Sequence, residues 1–335
     1  MNPCAENSKF LENRLSKLSF QNILKNMNTP RRVTVELHAV TGAFGYSGRH
    51  IANRLLKEGH RVITLTSSSD RRSPPNGRVA SYPLDFGQPD QLATSLAGVA
   101  VLYNTYWVRF NHRRFGHPSA VENSRVLFEA ARSAGVRRIV HISITNPSLD
   151  SPLSYFRGKA KVERALEASG IPHAILRPAV LFGGDDILIN NIAWALRHLP
   201  VFGVFGDGSY RLRPIHVDDL AAAAVALGAR DESTVVNAVG PDSLSYHGLI
   251  ETIAQSIGVY RPIIRVPKGI GWIAGKIIGW AHRDVTITMD EIHGLMAGLL
   301  DVDSEPLGST SIVDWLHDHH DQIGMRYANE MSRRR

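Results

Sequence analysis

Cysteine is almost missing from this chain: one, Cys4, occurs among 335 residues. A lone thiol excludes an internal disulfide framework and any zinc or iron–sulfur site built from several cysteines, and it points to a reducing, cytoplasmic compartment. Apolar runs of about 18 residues are also missing, so no segment reads as a membrane-spanning helix. An apolar stretch of about 7–15 residues near the N-terminus is lacking as well, which argues against a signal peptide. The body of the chain carries no excess of charge. The net charge of +7 arises in two tails: residues 1–32 hold six basic and two acidic side chains, and residues 326–335 hold four and one. Between them lie 28 basic and 28 acidic residues. A neutral body excludes nucleic acid as a partner and leaves open a weak attraction to an anionic surface. With 43% hydrophobic and 21% charged residues, the composition is globular, and the length suits about two domains of roughly 150 residues.

Residues 1–32 are polar and basic, and are expected to be a disordered extension or an upstream start ahead of Met27; Glu6 and Glu12 count against a transit peptide. The chain becomes legible after Arg32. The run 33–40 suits a buried strand, and Thr41-Gly42-Ala43-Phe44-Gly45-Tyr46-Ser47-Gly48 follows as a glycine-rich turn. Ile51, Leu55 and Leu56 then give a helix one apolar face, Gly59 stops it, and Arg61–Thr66 reads as a second strand. Strand, glycine turn, helix and strand make one βαβ unit, the context in which glycines let a pyrophosphate sit against a helix N-terminus. Candidate cofactor contacts in the turn are Gly42, Phe44, Gly45, Tyr46 and Gly48.

Farther along, Val136–Ile144 reads as a strand, with Ser143 and Thr145 at its C-terminal end. Tyr155-Phe-Arg-Gly-Lys159 follows on an inferred helix, where a four-residue spacing brings both side chains to one face. A phenol titrates near 10 and is a poor proton donor and acceptor at neutral pH, but a neighbouring ammonium favours phenolate and brings it toward the working range. Tyr155 is thus the candidate acid/base, Lys159 its tuner, and Ser143 or Thr145 the hydroxyl that holds a substrate oxygen.

The spacing Gly42-x-x-Gly45-x-x-Gly48, with the Tyr-x-x-x-Lys pattern, resembles the extended and atypical short-chain dehydrogenase/reductase superfamily, the epimerase/dehydratase-like proteins. Over about residues 33–260 the resemblance implies an α/β Rossmann-type doubly wound parallel sheet with a smaller, mostly helical C-terminal substrate lobe. The boundaries it implies are 33–182 with 212–240 for the nucleotide-binding part, and 183–211 with 241–325 for the lobe. By family register Thr66 lies beside the adenosine ribose, Asp85 and Phe86 near the adenine, Asn104 and Thr105 along the cofactor, and Pro178 on the strand passing the nicotinamide. Lys159 would also bind the nicotinamide ribose. Ser67, Ser68 and Ser69 follow Thr66 with Arg71 and Arg72 close behind, which favours NADP(H) over NAD(H); in the competing reading Asp70 takes the ribose.

Asn104-Thr-Tyr-Trp-Val-Arg109-Phe, Asn146-Pro-Ser and Asp290-Glu-Ile-His-Gly-Leu-Met resemble the branch containing the Rossmann-type accessory subunit of respiratory complex I and its bacterial relatives. That branch implies NADPH held structurally, at the membrane periphery, whereas Tyr155 and Lys159 imply hydride transfer with a small carbonyl or alcohol substrate. Both readings stay open, and a homodimer is common in this family. Three further features read as structural. Arg109–His117 is expected to be a solvated loop, with a reach over the cleft toward an acidic or phosphorylated substrate as its alternative, and Gly269–Trp280 a helix packed within the small lobe, with a membrane surface or another helix as its alternative. His317–Asp321 lacks a second ligand group, so no metal is assigned.

Overall fold

The computed structural model describes residues 34–67, 78–111 and 115–334. The N-terminal extension, Asp70, Arg71, Arg72, Arg113 and Arg114 lie outside the described residues.

Apolar runs between glycine stops form the strands of a seven-stranded sheet. They are β1 (Leu37–Thr41), β2 (Arg61–Thr66), β3 (Val79–Pro83), β4 (Val101–Asn104), β5 (Arg138–Ile142), β6 (His173–Pro178) and, later in the chain, β11 (Thr234–Ala238). Their order across the sheet is β11-β6-β5-β4-β1-β2-β3, and each neighbouring pair is parallel. Every residue of β4 and β5 is buried, as a parallel sheet covered on both faces requires. One face is covered by α1 (Tyr46–Lys57) and α6 (Val217–Gly228), over a core that includes Val40, Ile51, Leu55, Tyr103 and Leu220. On the other face α2 (Pro89–Ser95), α3 (His117–Ser133) and α4 (Ser154–Ala168) pack Leu92, Phe128 and Leu166 against Leu65, Leu102 and Ile139. This is the Rossmann-type doubly wound sheet. The order reverses between β1 and β4, and ligands of such sheets bind at that reversal, beyond the carboxyl ends of the strands.

A smaller, mostly helical lobe surrounds a third core that includes Phe182, Ile189, Ile192, Leu249, Trp315 and Leu316. Its helices are α5 (Leu188–His198), α7 (Tyr246–Ser256), α8 (Lys268–His282), α9 (Met289–Met296) and α10 (Ile312–Asp318). Three strand pairs stitch it together: β7 (Val180–Phe182) with β10 (Pro214–His216), β9 (Arg211–Leu212) with β12 (Leu244–Ser245), and β8 (Phe202–Phe205) with β13 (Ile263–Val266). Polar side chains cap α7, α9 and α10. Ser245 Oγ accepts from Gly248 N–H at 3.0 Å, and Thr288 with Glu291 forms a reciprocal capping box on α9.

Two local readings change. The third strand ends at Pro83, so Asp85 falls in a turn, where it accepts from the N–H of Gly87 at 2.9 Å and from Gln88 Nε2 at 3.1 Å. Arg109 is not a solvated loop residue. Its guanidinium pairs with Glu291 at 2.5 Å and donates to the Thr286 carbonyl at 3.0 Å, tying the β4–α3 connection to α9.

Candidate active site

The glycine turn closes because its glycines lack side chains. Gly42 takes φ +68°, the left-handed region that costs other residues strain. Gly45 N–H then donates to the Gly42 carbonyl at 2.8 Å. A Cβ on Gly48 would stand 2.2 Å from the same carbonyl oxygen, so only glycine lets α1 approach the end of β1. The N-terminus of α1 has no side-chain cap and no acidic residue in its first turn. Its orphan N–H groups are thus suited to an anion such as a pyrophosphate. Beside it, Thr41 ties the two strands at the reversal: its Oγ1 accepts from the N–H of Thr105 at 2.8 Å, and the Thr105 hydroxyl donates to the Thr41 carbonyl at 2.6 Å.

Tyr155 sits in the first turn of α4, edge-on to Trp107 and His117 with ring centroids 5.8 Å and 5.5 Å away. One turn on, Lys159 is 3% exposed; its Nζ donates to the Ile142 carbonyl at 2.7 Å and lies 4.9 Å from the Trp107 ring centroid. Burial pushes the Lys159 ammonium down to about 7, against the opposing pull of Glu163. Gly158 makes this arrangement possible, because a Cβ there would come within 2.7 Å of the Trp107 indole. His117 completes the group. Its Nδ1 lies 2.8 Å from Ser154 Oγ, which donates to Asp290 Oδ2 at 3.1 Å, and burial lowers its basicity.

A cavity of about 1470 Å³ runs from the glycine turn past Tyr155 into the small lobe. Pockets for single drug-sized ligands measure roughly 300–1,000 Å³, and this one is larger. At one end it is lined by Gly42, Gly45, Tyr46, Gly48, Thr66 and Thr105. At the waist stand Trp107, His117, Ile144 and Tyr155, and the far arm includes Leu188, Ile192, Phe205, Val266, Ile278 and Ile287.

Residues 42–195 match the family described as NAD(P)H-binding. The chain is 27% identical over 241 residues to the mitochondrial NADH dehydrogenase (ubiquinone) 1 alpha subcomplex subunit 9 of Arabidopsis thaliana, covering 68% of this chain. That alignment spans 60% of the plant subunit, less than two thirds of its length. The chain is also 28% identical over 250 residues to the ceramide reductase of Caulobacter vibrioides, covering 72% of this chain and 76% of the reductase. Among solved structures, the triphenylmethane reductase of Citrobacter sp. superposes with a TM-score of 0.70 at 20% identity, over 85% of this chain and 99% of that one. The NADPH-dependent quinone oxidoreductase of Escherichia coli, in complex with NADPH, does so at 0.69 and 21% identity, over 84% of this chain and 99% of that one. Residues 42–195 thus match an NAD(P)H-binding family, on a Rossmann-type fold shared with reductases and epimerases.

The residues read from the sequence divide in two. Gly42, Gly45, Tyr46, Gly48, Thr66, Thr105 and Tyr155 line the cavity, whereas Phe44, Asp85, Phe86, Asn104, Pro178 and Lys159 do not. Asn104 is a buried tie: its Oδ1 meets the Thr41 hydroxyl at 3.1 Å, and its Nδ2 lies 3.2 Å from His141. Neither candidate hydroxyl is brought to the cavity. Ser143 donates to Glu163, which also pairs with Arg177, and Thr145 donates to the Leu299 carbonyl at 2.8 Å. Ile144 faces the cavity instead, as alternation along an extended segment dictates. Trp107 and His117 were not singled out as site residues. The signals for Trp107 are its place just after β4, at the sheet's ligand-binding edge, and its membership of the Asn104–Phe110 run quoted above.

Proposed function

We propose that the protein is an NAD(P)H-dependent oxidoreductase that reduces the carbonyl group of an apolar substrate. The observation that carries this reading is Tyr155 at the waist of the cavity, between the glycine turn and an apolar arm. A bound nicotinamide dinucleotide would supply the hydride. Gly42, Gly45 and Gly48 would hold its pyrophosphate at α1, and Thr66 and Thr105 would flank its length. As hydride adds to the carbonyl carbon, the Tyr155 phenol gives its proton to the carbonyl oxygen. The Lys159 ammonium, one helical turn away and screened from water by Trp107, stabilises the resulting phenolate. The apolar arm holds the rest of the substrate by removing hydrocarbon from water. NADP(H) is the preferred cofactor in this reading, because no carboxylate follows Thr66 until Asp70 and Arg71 and Arg72 come next. Comparing NADPH and NADH affinities tests that preference. Turnover of NADPH with hydrophobic aldehydes and ketones, lost in Tyr155→Phe, tests the reaction.

A second reading, a nucleotide-holding protein of a membrane respiratory complex, draws support from two observations. The Ser143 and Thr145 hydroxyls are engaged away from the cavity, and one of the similar proteins is named as an NADH dehydrogenase subunit. Tight NADPH binding with no turnover on any substrate, unchanged in Tyr155→Phe, would favour it.

A further inference from the structure

Helix α8 is apolar on both of its sides, yet only one of them is covered. Gly271, Gly275 and Ile278 face inward and line the cavity, and a Cβ on Gly271 would come within 2.4 Å of the Phe205 ring. On the opposite side Ile270, Ile273, Ile277 and Trp280 follow one another at helical spacing and are 60%, 55%, 63% and 83% exposed. A helix that is apolar all round is ordinarily buried, so this outer stripe lacks the cover its composition calls for. Tyr260 and Ile264 extend the exposed surface along the segment leading into the helix.

Charge identifies what covers it. From Tyr260 to Arg283 the chain carries five basic residues, Arg261, Arg265, Lys268, Lys276 and Arg283, and no acidic one. The body as a whole balances its charges, so outside this segment acidic residues are in excess and the concentration of positive charge here is local. Lys276 Nζ lies over the Trp272 ring, 4.1 Å from its centroid, and is exposed at the edge of the stripe. The C-terminal turn Met331–Arg334, arginine-rich in sequence, is anchored at the far end of α8, where Asn329 Nδ2 donates to the His282 carbonyl at 2.6 Å. Apolar side chains and a tryptophan rimmed by lysine and arginine are the composition of a helix lying in a membrane interface, with hydrocarbon inserted and cations at the level of anionic headgroups. Among the described residues no helix is long and apolar enough to cross a membrane.

We infer that the outer face of α8, with β13, docks the protein on the surface of an anionic lipid bilayer. The docked face is continuous with the cavity. Val201, Ile264 and Ile270 are exposed and also line the apolar arm, so the mouth of that arm opens beside the inserted stripe. Docking therefore turns the apolar arm toward the lipid phase, from which a hydrophobic molecule enters without crossing water. The docking itself does not depend on turnover.

Co-sedimentation with protein-free vesicles tests this, using phosphatidylcholine alone and phosphatidylcholine with phosphatidylglycerol at about 7:3. The wild-type chain is expected to sediment with the anionic vesicles and to remain in solution with the neutral ones, with its tryptophan emission shifted to the blue on binding. Trp280→Phe should remove most of that shift. The double change Ile273→Glu with Ile277→Glu should abolish binding, and Lys268→Gln with Lys276→Gln should weaken it roughly tenfold. All five positions are exposed, and unchanged NADPH affinity verifies that the variants keep their fold. Failure of the wild type to bind anionic vesicles, or equal binding by the glutamate variant, overturns the proposal. Binding to native membranes in a protease-sensitive manner, with none to protein-free vesicles, also overturns it, in favour of a protein partner.

Discussion

Tyr155 and Lys159 present an accessible phenol and a hidden cation. The phenol lines the cavity; the ammonium is enclosed by α4, the Ile142 carbonyl and the Trp107 indole. Enclosure holds Lys159 near 7 in the folded chain, against 10.5 as its ordinary value. Below about pH 7 the lysine is charged in both folded and unfolded chains, and folding bears the full cost of burying the charge. Between about 7 and 10.5 the folded chain has released the proton while the unfolded chain keeps it, so this contribution to stability rises with pH. Lys159→Met should accordingly gain most on the wild type at or below pH 7, with the advantage shrinking toward pH 10. Urea midpoints of both proteins across that range check it, and parallel curves would contradict the assignment. Gly48 is the other decisive residue. Gly48→Ala drives a methyl group into the Gly42 carbonyl, and is expected to cost about 1–3 kcal/mol of stability and to weaken NADPH binding at least about tenfold by opening the turn. Isothermal titration and thermal denaturation read the two effects separately.

At the scale of elements, the site depends on a contact between the β4–α3 connection and α9. Arg109 reaches from the connection to Glu291, which simultaneously completes the capping box with Thr288. Arg109→Ala should cost about 2 kcal/mol, the range for a hydrogen bond to a charged group, and should raise the KM for substrate more than for nucleotide, because α9 borders the apolar arm and not the glycine turn. A matching rise in the nucleotide constant would place the contact elsewhere in the mechanism. The sheet and its glycine turn were legible in the sequence, because apolar runs, glycine stops and the 42–48 spacing are local signals. Tyr155 was legible for the same reason, as part of a short pattern on one helix. The engagement of Ser143 and Thr145 was not. Which way a strand-end hydroxyl points depends on Glu163 and on Leu299, residues far along the chain whose proximity no local pattern encodes. Arg109 was misjudged for a similar cause: a basic loop residue looks solvated until its carboxylate partner, 182 positions away, is brought beside it.

At the scale of the whole molecule, the Rossmann sheet supplies the nucleotide end of one cavity and the small lobe supplies an apolar end. The helix that walls the apolar end presents uncovered hydrocarbon and one sign of charge to the outside. The glycine pattern of α8 was readable as a helix face, but which side would be left uncovered was not, because that is decided by Phe205 and Ile287 filling the inner side. The proposed reduction of hydrophobic carbonyl compounds rests on one cavity lined by the glycine turn, Tyr155 and apolar side chains of the small lobe. The most direct test is the steady-state oxidation of NADPH by the purified chain with long-chain aldehydes and ketones, beside Tyr155→Phe. Turnover by the wild type, with kcat/KM lower by about 10²–10⁴ in the variant at unchanged NADPH affinity, is the expected result. Equal turnover by both proteins, or tight NADPH binding by both with no turnover at all, would contradict it.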